Sequence, residues 1–355
     1  MTGLQWPKPF LMHAYVAEIA RWMCQVLRKK VLSVAVVGLG KMGLLHSCIL
    51  NVLPNVRLEA LCEKSAITRS LFQKVIRQIR LVDDVAKLAD MGLDAVYITT
   101  PIPSHFPVAK LILENKVARN LFVEKTLASS YEEAEELRDL AHRFCDVSMV
   151  GYTRRFAVTF RKAKDLLAEG GIGDALSFKA YAYSSDFLGS RKDVGTGASR
   201  GGVLRDLGCH ALDLALWFFG DFQVQSAELS SINSSSDDSV SIRVEKSNGP
   251  KGEFNISWCM PGYRMPEVGL SINGPKGIIE VNDDNVKLKM KDGKLLTWYK
   301  HDLNDNTNFM LGGPEYFREN EYFASSVIEK RQAEPSFDTA ARVDEIIDQV
   351  KERAE

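Results

Sequence analysis

Residues 31–46 read VLSVAVVGLGKMGLLH, and this stretch decides the fold. Its first seven residues are almost all apolar and include four valines, which is typical of a strand buried on both faces. Gly38, Gly40 and Gly43 follow in the spacing G-x-G-x-x-G, and a helical pattern begins at Met42. Such glycines allow a tight turn, close approach of the backbone to a pyrophosphate, and close packing of helix on strand. A plain glycine-rich turn is the alternative, but the flanking strand and helix favour a dinucleotide site.

The bulk composition is that of an ordinary globular protein. The chain has 355 residues, 45% hydrophobic and 26% charged, and a net charge of −1. This length predicts two domains, and the absence of long single-sign blocks argues against binding to nucleic acid or to a membrane. The six cysteines are scattered and never form C-x-x-C, so we expect buried thiols, no metal site and a cytoplasmic protein.

The first 30 residues are predicted to form a helical extension. Leu11, Tyr15, Ile19, Trp22 and Val26 fall on one face of a helix, which indicates an amphipathic segment. We expect it to pack on the body of the protein, and binding to a partner or a membrane surface is the alternative. A secretory signal would carry its positive charge first, whereas Arg28, Lys29 and Lys30 come at the end.

Residues 31–150 alternate between strand and helix patterns, which predicts a doubly wound parallel sheet, that is, a Rossmann domain. The predicted strands are Val31–Val37, Val56–Cys62, Asp94–Thr100, Asn120–Val123 and Ser148–Gly151. The predicted helices are Ile67–Ile79, Val85–Ala89, Ser104–Asn115 and Tyr131–Phe144.

Residues 151–315 have a different pattern, with longer alternating strands and the turn signals Asn248-Gly249 and Asp292-Gly293. They predict an α+β domain with a large, mostly antiparallel open sheet, so the fold class is α/β overall. One face of this sheet would be covered by the rest of the domain. We expect the other face to be apolar and to form the contact between copies of the chain. A helix is predicted from Gly202 to Phe219, and glycine-rich residues 189–202 are predicted to form a loop over the site. Residues 316–355 are predicted to be helices that return to the first domain.

Three further stretches place polar residues where a doubly wound sheet binds ligands, outside the carboxyl ends of its strands. The first two are strand ends, and the third is a predicted helix on which an aspartate and a histidine lie four residues apart. They are Thr100-Pro101 with His105, Glu124-Lys125, and Asp206 with His210.

Five motifs in one order resemble the glucose–fructose oxidoreductase and inositol dehydrogenase family, Gfo/Idh/MocA. They are G-x-G-x-x-G-x-x-H at Gly38–His46, TP-x-x-SH at Thr100–His105, EK at Glu124–Lys125, G-Y-x-R-R-F at Gly151–Phe156 and GG-x-L-x-D-x-G-x-H-x-x-D at Gly201–Asp213. The resemblance implies NAD(P)-dependent redox chemistry on sugars, cyclitols and related polyols, in homodimers or homotetramers.

The resemblance also assigns catalytic positions. Lys125, Asp206 and His210 match the family's catalytic lysine, aspartate and histidine. A histidine suits the base that takes a hydroxyl proton, and an ammonium group can stabilise developing alkoxide charge while hydride moves to nicotinamide C4. Asp206 would orient His210 or bind a substrate hydroxyl. The alternatives are a structural His–Asp pair and a surface ion pair between Lys125 and Glu124.

Predicted cofactor and substrate contacts follow from the same motifs. Glu63, 20 residues beyond Gly43, can bond the adenosine ribose and disfavours a 2′-phosphate, so NAD is expected. Lys64 could hold that phosphate, which leaves NADP as the alternative, and a solvated turn is the structural alternative. The predicted cofactor contacts are Gly38, Leu39, Gly40, Lys41, Met42, Gly43, Glu63, Lys64, Thr100, Pro101, His105, Glu124 and Lys125. The predicted substrate contacts are Lys125, Arg154, Tyr183, Asp206 and His210.

One position departs from the family pattern. Thr126 follows Lys125, where the family usually has proline, a residue that makes a cis peptide bond accessible. We therefore expect the turn that aims Lys125 to differ or to be held by other contacts. A dehydrogenase is the first hypothesis. The others are an enzyme that uses bound NAD only transiently, without net redox change, and a cofactor-binding regulator without turnover.

Overall fold

A computed structural model describes residues 31–75, 78–188, 200–231, 233, 236–307, 309 and 311–354. The helix predicted within residues 1–30 and all but the last three residues of the predicted loop 189–202 lie outside the described residues.

The first sheet is parallel and has the strand order β3-β2-β1-β4-β5-β6. The order reverses between β1 and β4, which opens a ligand-binding crevice at their carboxyl ends. This confirms the predicted doubly wound sheet. Its strands are β1 Leu32–Val37, β2 Val56–Cys62, β3 Arg80–Val82, β4 Ala95–Ile98, β5 Asn120–Val123 and β6 Val147–Val150.

Helices connect these strands close to the predicted bounds. They are α1 Lys41–Val52, α2 Ala66–Val75, α3 His105–Glu114 and α4 Tyr131–Phe144. Short 3₁₀ segments occupy Val85–Met91, Ile102–Ser104 and Thr153–Phe156. The last of these leads into α5, Val158–Ala168, and thus to the second sheet.

The second sheet has the order β14-β13-β12-β11-β7-β10-β9-β8, and every pair is antiparallel except β7 with β10. This confirms the predicted large, mostly antiparallel sheet. Its strands are β7 Ser177–Tyr183, β8 Gln223–Ser230, β9 Ser239–Glu245, β10 Lys251–Ser257, β11 Glu267–Asn273, β12 Gly277–Asn282, β13 Asn285–Met290 and β14 Leu295–Tyr299. The described turns at Asn248 and Gly293 have positive φ, as the turn signals require.

The two faces of the second sheet differ in character. Phe178 and Ala180 on β7 and Phe254 on β10 face inward and join a core that includes α6, Cys209–Phe219. The alternate residues, such as Lys179 and Glu253, face outward and form an ion pair. The expectation of an apolar open face is therefore wrong, because most of its described positions are polar, although Tyr181, Tyr183 and Ile278 also lie on it.

The tail forms α7, Pro314–Glu329, and α8, Phe337–Ala354. Phe323 on α7 shares a core cluster with Val34 of β1, so this helix covers one face of the first sheet. Phe337 and other residues of α8 instead belong to a cluster that contains residues of both sheets. None of the helices within the described residues combines the length and hydropathy that a bilayer crossing requires.

Candidate active site

The glycine turn after β1 is held by close backbone contacts. Gly38 has a φ of +94°, and a Cβ there would lie 2.9 Å from the Thr100 methyl group. A Cβ on Gly43 would lie 1.8 Å from the Gly38 carbonyl oxygen, whereas one on Gly40 would meet open space. Helix α1 begins after Gly40 without a side-chain cap or an acidic residue in its first turn. Its free amides therefore face an open position that fits a pyrophosphate.

A cavity of about 530 Å³ adjoins this turn. Glu63 lies in its wall, and its carboxylate accepts hydrogen bonds from the backbone N–H groups of Leu39 and Ser65, both at 2.8 Å. A carboxylate has about four acceptor sites, so Glu63 can still accept from a ribose hydroxyl. The predicted cofactor contacts that line the cavity are Gly38, Leu39, Gly40, Lys41, Met42, Glu63, Lys64, Thr100 and Pro101. These residues fit a dinucleotide.

The Glu63→Ala variant should bind NADH about 10- to 100-fold more weakly, because a charged hydrogen bond contributes about 1.5–3 kcal/mol. NADPH affinity should fall less or rise, since the carboxylate that repels its 2′-phosphate is gone. Fluorescence titration with both nucleotides measures the ratio of affinities. Glu59→Ala on β2, the strand that ends just before Glu63, removes a half-buried carboxylate paired with Arg57 and serves as the control. An unchanged ratio in Glu63→Ala would contradict the ribose contact.

His105 does not line this cavity, although it is a predicted cofactor contact. Its buried ring lies between two carbonyl oxygens, with Nδ1 at 2.7 Å from that of Thr126 and Nε2 at 2.8 Å from that of Thr100. Burial lowers the pKa of His105. The ring thus joins the loop after β4 to the segment that follows Lys125.

Glu124 is also set back from the cavity, in a buried network. Its Oε1 lies 2.8 Å from His46 Nε2, and its Oε2 accepts the Lys125 backbone N–H at 3.2 Å. His46 Nδ1 in turn lies 3.0 Å from Asn320 Oδ1 on α7. Burial raises the pKa of Glu124, but His46 and Lys125 outweigh it and hold the pKa below the usual value. Glu124 therefore supports Lys125 through the backbone.

Lys125 reaches across to the second domain. Its Nζ donates to Asp206 Oδ1 at 2.9 Å and to the Asp206 carbonyl oxygen. Burial alone would lower the pKa of Lys125, yet Asp206, Cys209 and Glu124 raise it above its ordinary value. The alternative of a surface ion pair between Lys125 and Glu124 is wrong, because the Lys125 ammonium pairs with Asp206 and the buried Glu124 carboxylate pairs with His46. The Lys125–Thr126 peptide bond is cis.

His210 lies in the first turn of α6, in surroundings that favour its neutral form. It is 7% exposed, and its Nδ1 is buried without a hydrogen-bond partner in the described structure. Burial, followed by the charges of Arg154 and Lys125, lowers its pKa well below the ordinary value. The imidazole is consequently neutral at neutral pH and can accept a proton.

Asp206 lies in a π-helical turn, Leu204–Gly208, that precedes α6. Its second carboxylate oxygen pairs with Arg200 Nε at 3.0 Å, and its first bonds Lys125. The expectation that Asp206 orients His210 finds no support in these contacts, because its carboxylate oxygens bond Lys125 and Arg200, and His210 Nδ1 has no hydrogen-bond partner in the described structure.

Arg154 and Arg155, which are neighbours in sequence, have different surroundings. Arg155 is buried and donates three hydrogen bonds of 2.7–3.1 Å to Asp213. Burial raises the pKa of Asp213 to about 6 although Arg155 opposes this. Arg154 instead lines a cavity of about 420 Å³ beside Asp283 and Tyr316. Arg155 is thus a structural residue, and Arg154 is the one available to a ligand.

Tyr183 is separate from this cluster. It stacks on Tyr181, with ring centroids 4.9 Å apart, on the outward face of β7, and its ring lies 5.2 Å from that of Tyr263. Helix α6 packs on the inward face of the same sheet. This placement does not support contact between Tyr183 and a substrate held by Lys125 of the same protomer.

Two family models match the two halves of the chain. Residues 32–152 match the model of an oxidoreductase family with an NAD-binding Rossmann fold, and residues 160–280 match the GFO/IDH/MocA C-terminal domain. The chain belongs to the GFO/IDH/MocA family. Thr126, which replaces the proline usual in this family, is buried, and its carbonyl oxygen is the one that contacts His105.

Relatives of this GFO/IDH/MocA protein include dehydrogenases. It is 27% identical over 209 residues to scyllo-inositol 2-dehydrogenase (NAD(+)) of Bacillus subtilis, covering 56% of this chain and 55% of that protein. It is 25% identical over 212 residues to D-apiose dehydrogenase of Rhizobium rhizogenes, covering 57% and 59%. The chain therefore matches little more than half the length of these relatives. A structure of levoglucosan dehydrogenase with NADH and levoglucosan has the same fold, with a TM-score of 0.82, 22% identity, and coverage of 92% and 97%.

The contacts of several supporting residues cannot be predicted from the sequence. His46 is part of the first motif, but its role depends on Asn320, which lies 274 residues away. Asn320 belongs to no motif, and a hydrophobic pattern cannot distinguish a buried asparagine from a solvated one. Arg200 pairs with both Asp186 and Asp206, which only the folded chain brings together.

Proposed function

We propose that this protein is an NAD-dependent dehydrogenase that oxidises a secondary alcohol of a sugar, cyclitol or related polyol. One observation carries the proposal. Lys125 and His210 come from different domains, yet Lys125 lies close enough for its charge to lower the pKa of His210, whereas the pKa of Lys125 itself is raised. One group is kept as a cation and the other as a neutral base, which is what alcohol oxidation requires.

The proposed roles follow from these states. The neutral His210 imidazole accepts the hydroxyl proton, and the Lys125 ammonium donates a hydrogen bond to the same oxygen as negative charge develops there. The Asp206 carboxylate keeps Lys125 charged and in place through the 2.9 Å contact. NAD would be held by the Gly38–Met42 turn and Glu63, and when bound it supplies the hydride acceptor.

The substrate class is supported by relatives and by the polar site. The related scyllo-inositol, D-apiose and levoglucosan enzymes are named for polyhydroxylated substrates. Arg154 lies beside Asp283 with Nε at 3.4 Å from Oδ1, and such paired donors and acceptors suit substrate hydroxyls. We therefore assign substrate binding to Arg154 together with Lys125, Asp206 and His210.

A panel of sugars, cyclitols and sugar acids, assayed for NADH formation, tests the proposal. We expect NADH to accumulate with at least one neutral polyol and to do so faster than NADPH accumulates with NADP. Copurified NAD with substrate turnover but no NADH would instead identify transient redox chemistry. Binding of NADH without turnover of any polyol would favour a regulator.

We also propose that the protein acts in the cytoplasm as a homodimer or homotetramer. Cys48, Cys62, Cys145, Cys209 and Cys259 are free thiols, which suits a reducing compartment. The tyrosines on the open face of the second sheet provide aromatic area of the kind enriched at interfaces. Light scattering coupled to gel filtration measures the mass, and a monomer at micromolar concentration would contradict the assembly.

A further inference from the structure

Arg205 is buried beside the active site, and the roles assigned above leave it without one. It precedes Asp206 in the π turn, and its side chain is 2% exposed. Its Nη1 donates to the Ala128 carbonyl oxygen at 2.8 Å and to Asp344 on α8, and its Nη2 donates to Asp348 at 2.7 Å. A single guanidinium thus contacts the first domain and the last helix from a turn of the second domain.

The two carboxylates also hold the segment that follows Lys125. Asp344 Oδ2 accepts the Ala128 N–H at 3.3 Å, so both backbone groups of Ala128 are engaged. Asp348 Oδ2 accepts the Tyr131 N–H at 2.6 Å, at the start of α4. The resulting cluster of Arg205, Asp344, Asp348 and Ala128 is called the Arg205 clamp below.

The clamp lies at the base of both catalytic segments. Ala128 is three residues after Lys125, and Arg205 is one residue before Asp206. The clamp therefore ties together the two backbone segments whose side chains meet in the Lys125–Asp206 contact.

Stability alone does not account for such an arrangement. A buried ion cluster commonly contributes no more stability than apolar residues of the same volume, because desolvation offsets the Coulomb attraction. Burial raises the pKa of Asp344 to about 7 even beside Arg205, which reflects this cost. What the forked guanidinium provides, and an apolar side chain does not, is directional bonding to several groups at once.

We propose that Arg205 is a positioning residue that sets Lys125 against Asp206 across the domain boundary, with Asp344 and Asp348 as its anchors on α8. The predicted effect of Arg205 on turnover rests on the proposed function. Its predicted effect on the surroundings of Lys125 does not. A displacement of about 1 Å at a catalytic group can reduce the rate by 10²-fold, so the predicted effect is on kcat.

The test compares Arg205→Met and Arg205→Lys with Arg342→Met. Arg342 is a matched control because it lies on α8, which carries the two carboxylates of the clamp. Like Arg205 it donates to a carboxylate and a carbonyl, those of Asp221 at 2.7 Å and Phe222 at 2.9 Å. It has no described contact with Ala128 or Asp206. Arg205→Lys keeps a cation beside the buried carboxylates, and it is the variant to measure if Arg205→Met does not fold.

We expect both Arg205 variants to lower kcat by about 10- to 100-fold while the Kd for NADH stays within about twofold of wild type. Arg342→Met should lower the melting temperature without lowering kcat. Labelling of Lys125 by trinitrobenzenesulfonate, quantified by peptide mass spectrometry, should be severalfold faster in the Arg205 variants only.

The labelling readout needs no turnover. If Lys125 were labelled at the wild-type rate in both Arg205 variants, the clamp would be overturned, whatever the activity of the variants. Wild-type kcat with faster labelling would equally overturn a positioning role. Failure of wild type to oxidise any polyol would refute the proposed function, and the labelling comparison would still test the clamp.

Discussion

The Lys125→Met variant is expected to lose about 10²–10³-fold in kcat, the usual effect of removing one preorganised donor from a developing oxyanion. Methionine has a similar length but no charge, so it cannot stabilise the substrate oxygen or pair with Asp206. NADH should still bind, because the cavity at the glycine turn does not include Lys125. Steady-state rates on the polyol identified by the panel and NADH fluorescence measure the two effects separately.

The matched control for this substitution is Lys110→Met. Lys110 also pairs with a carboxylate, that of Glu136 at 2.6 Å, but on the surface of α3 and away from the active site. Its activity should equal that of wild type, because surface ion pairs contribute little. If Lys125→Met retained wild-type kcat, the assignment of Lys125 to the reaction would be wrong.

The His210→Gln variant is expected to lose about 10²–10⁴-fold in kcat/KM, the range for a missing general base. Glutamine keeps polar atoms in the same place but takes up no proton at neutral pH. His142→Gln, which changes an exposed histidine paired with Asp338, is the control and should have no effect.

The pH profile distinguishes a base from a structural histidine. A base must be unprotonated, so activity falls as the pH drops through its pKa, and the pKa of His210 lies well below 6.5. The fall in wild-type kcat/KM that protonation of His210 causes should therefore lie below about pH 6.5. On the alkaline side the raised pKa of Lys125 keeps it charged beyond pH 10.5. The kcat/KM of His210→Gln should not show this fall at low pH. If the fall persisted in the variant, it would belong to the titration of another group.

Local patterns were sufficient to predict most of the fold. The valine-rich strand and glycine spacing of residues 31–46 predict β1, the turn and α1, which the structure confirms. Strand β3 of the first sheet is missing from the prediction because it has only three residues. Strand β13 of the second sheet is missing too, and it alternates lysines with apolar residues beside the edge strand. Such strands depend on pairing partners more than on their own sequence.

The candidate site was less accessible to sequence reasoning because its geometry depends on long-range contacts. Arg154 and Arg155 are identical neighbours, and only the path of the 3₁₀ segment directs one to Asp213 and the other to a cavity. The contact of Arg205 with Asp344 joins residues 139 positions apart. The roles of Lys125, Asp206 and His210 stay predictions until the variants are measured.

The tail has a consequence for the order in which the protein folds. Helix α7 supplies Phe323 to the core under the first sheet, and α8 supplies Phe337 to the core shared with the second. During synthesis these helices leave the ribosome after both sheets, so apolar surface in each half stays uncovered until the helices emerge. We infer that neither half completes its hydrophobic core on the ribosome until residues 314–354 emerge.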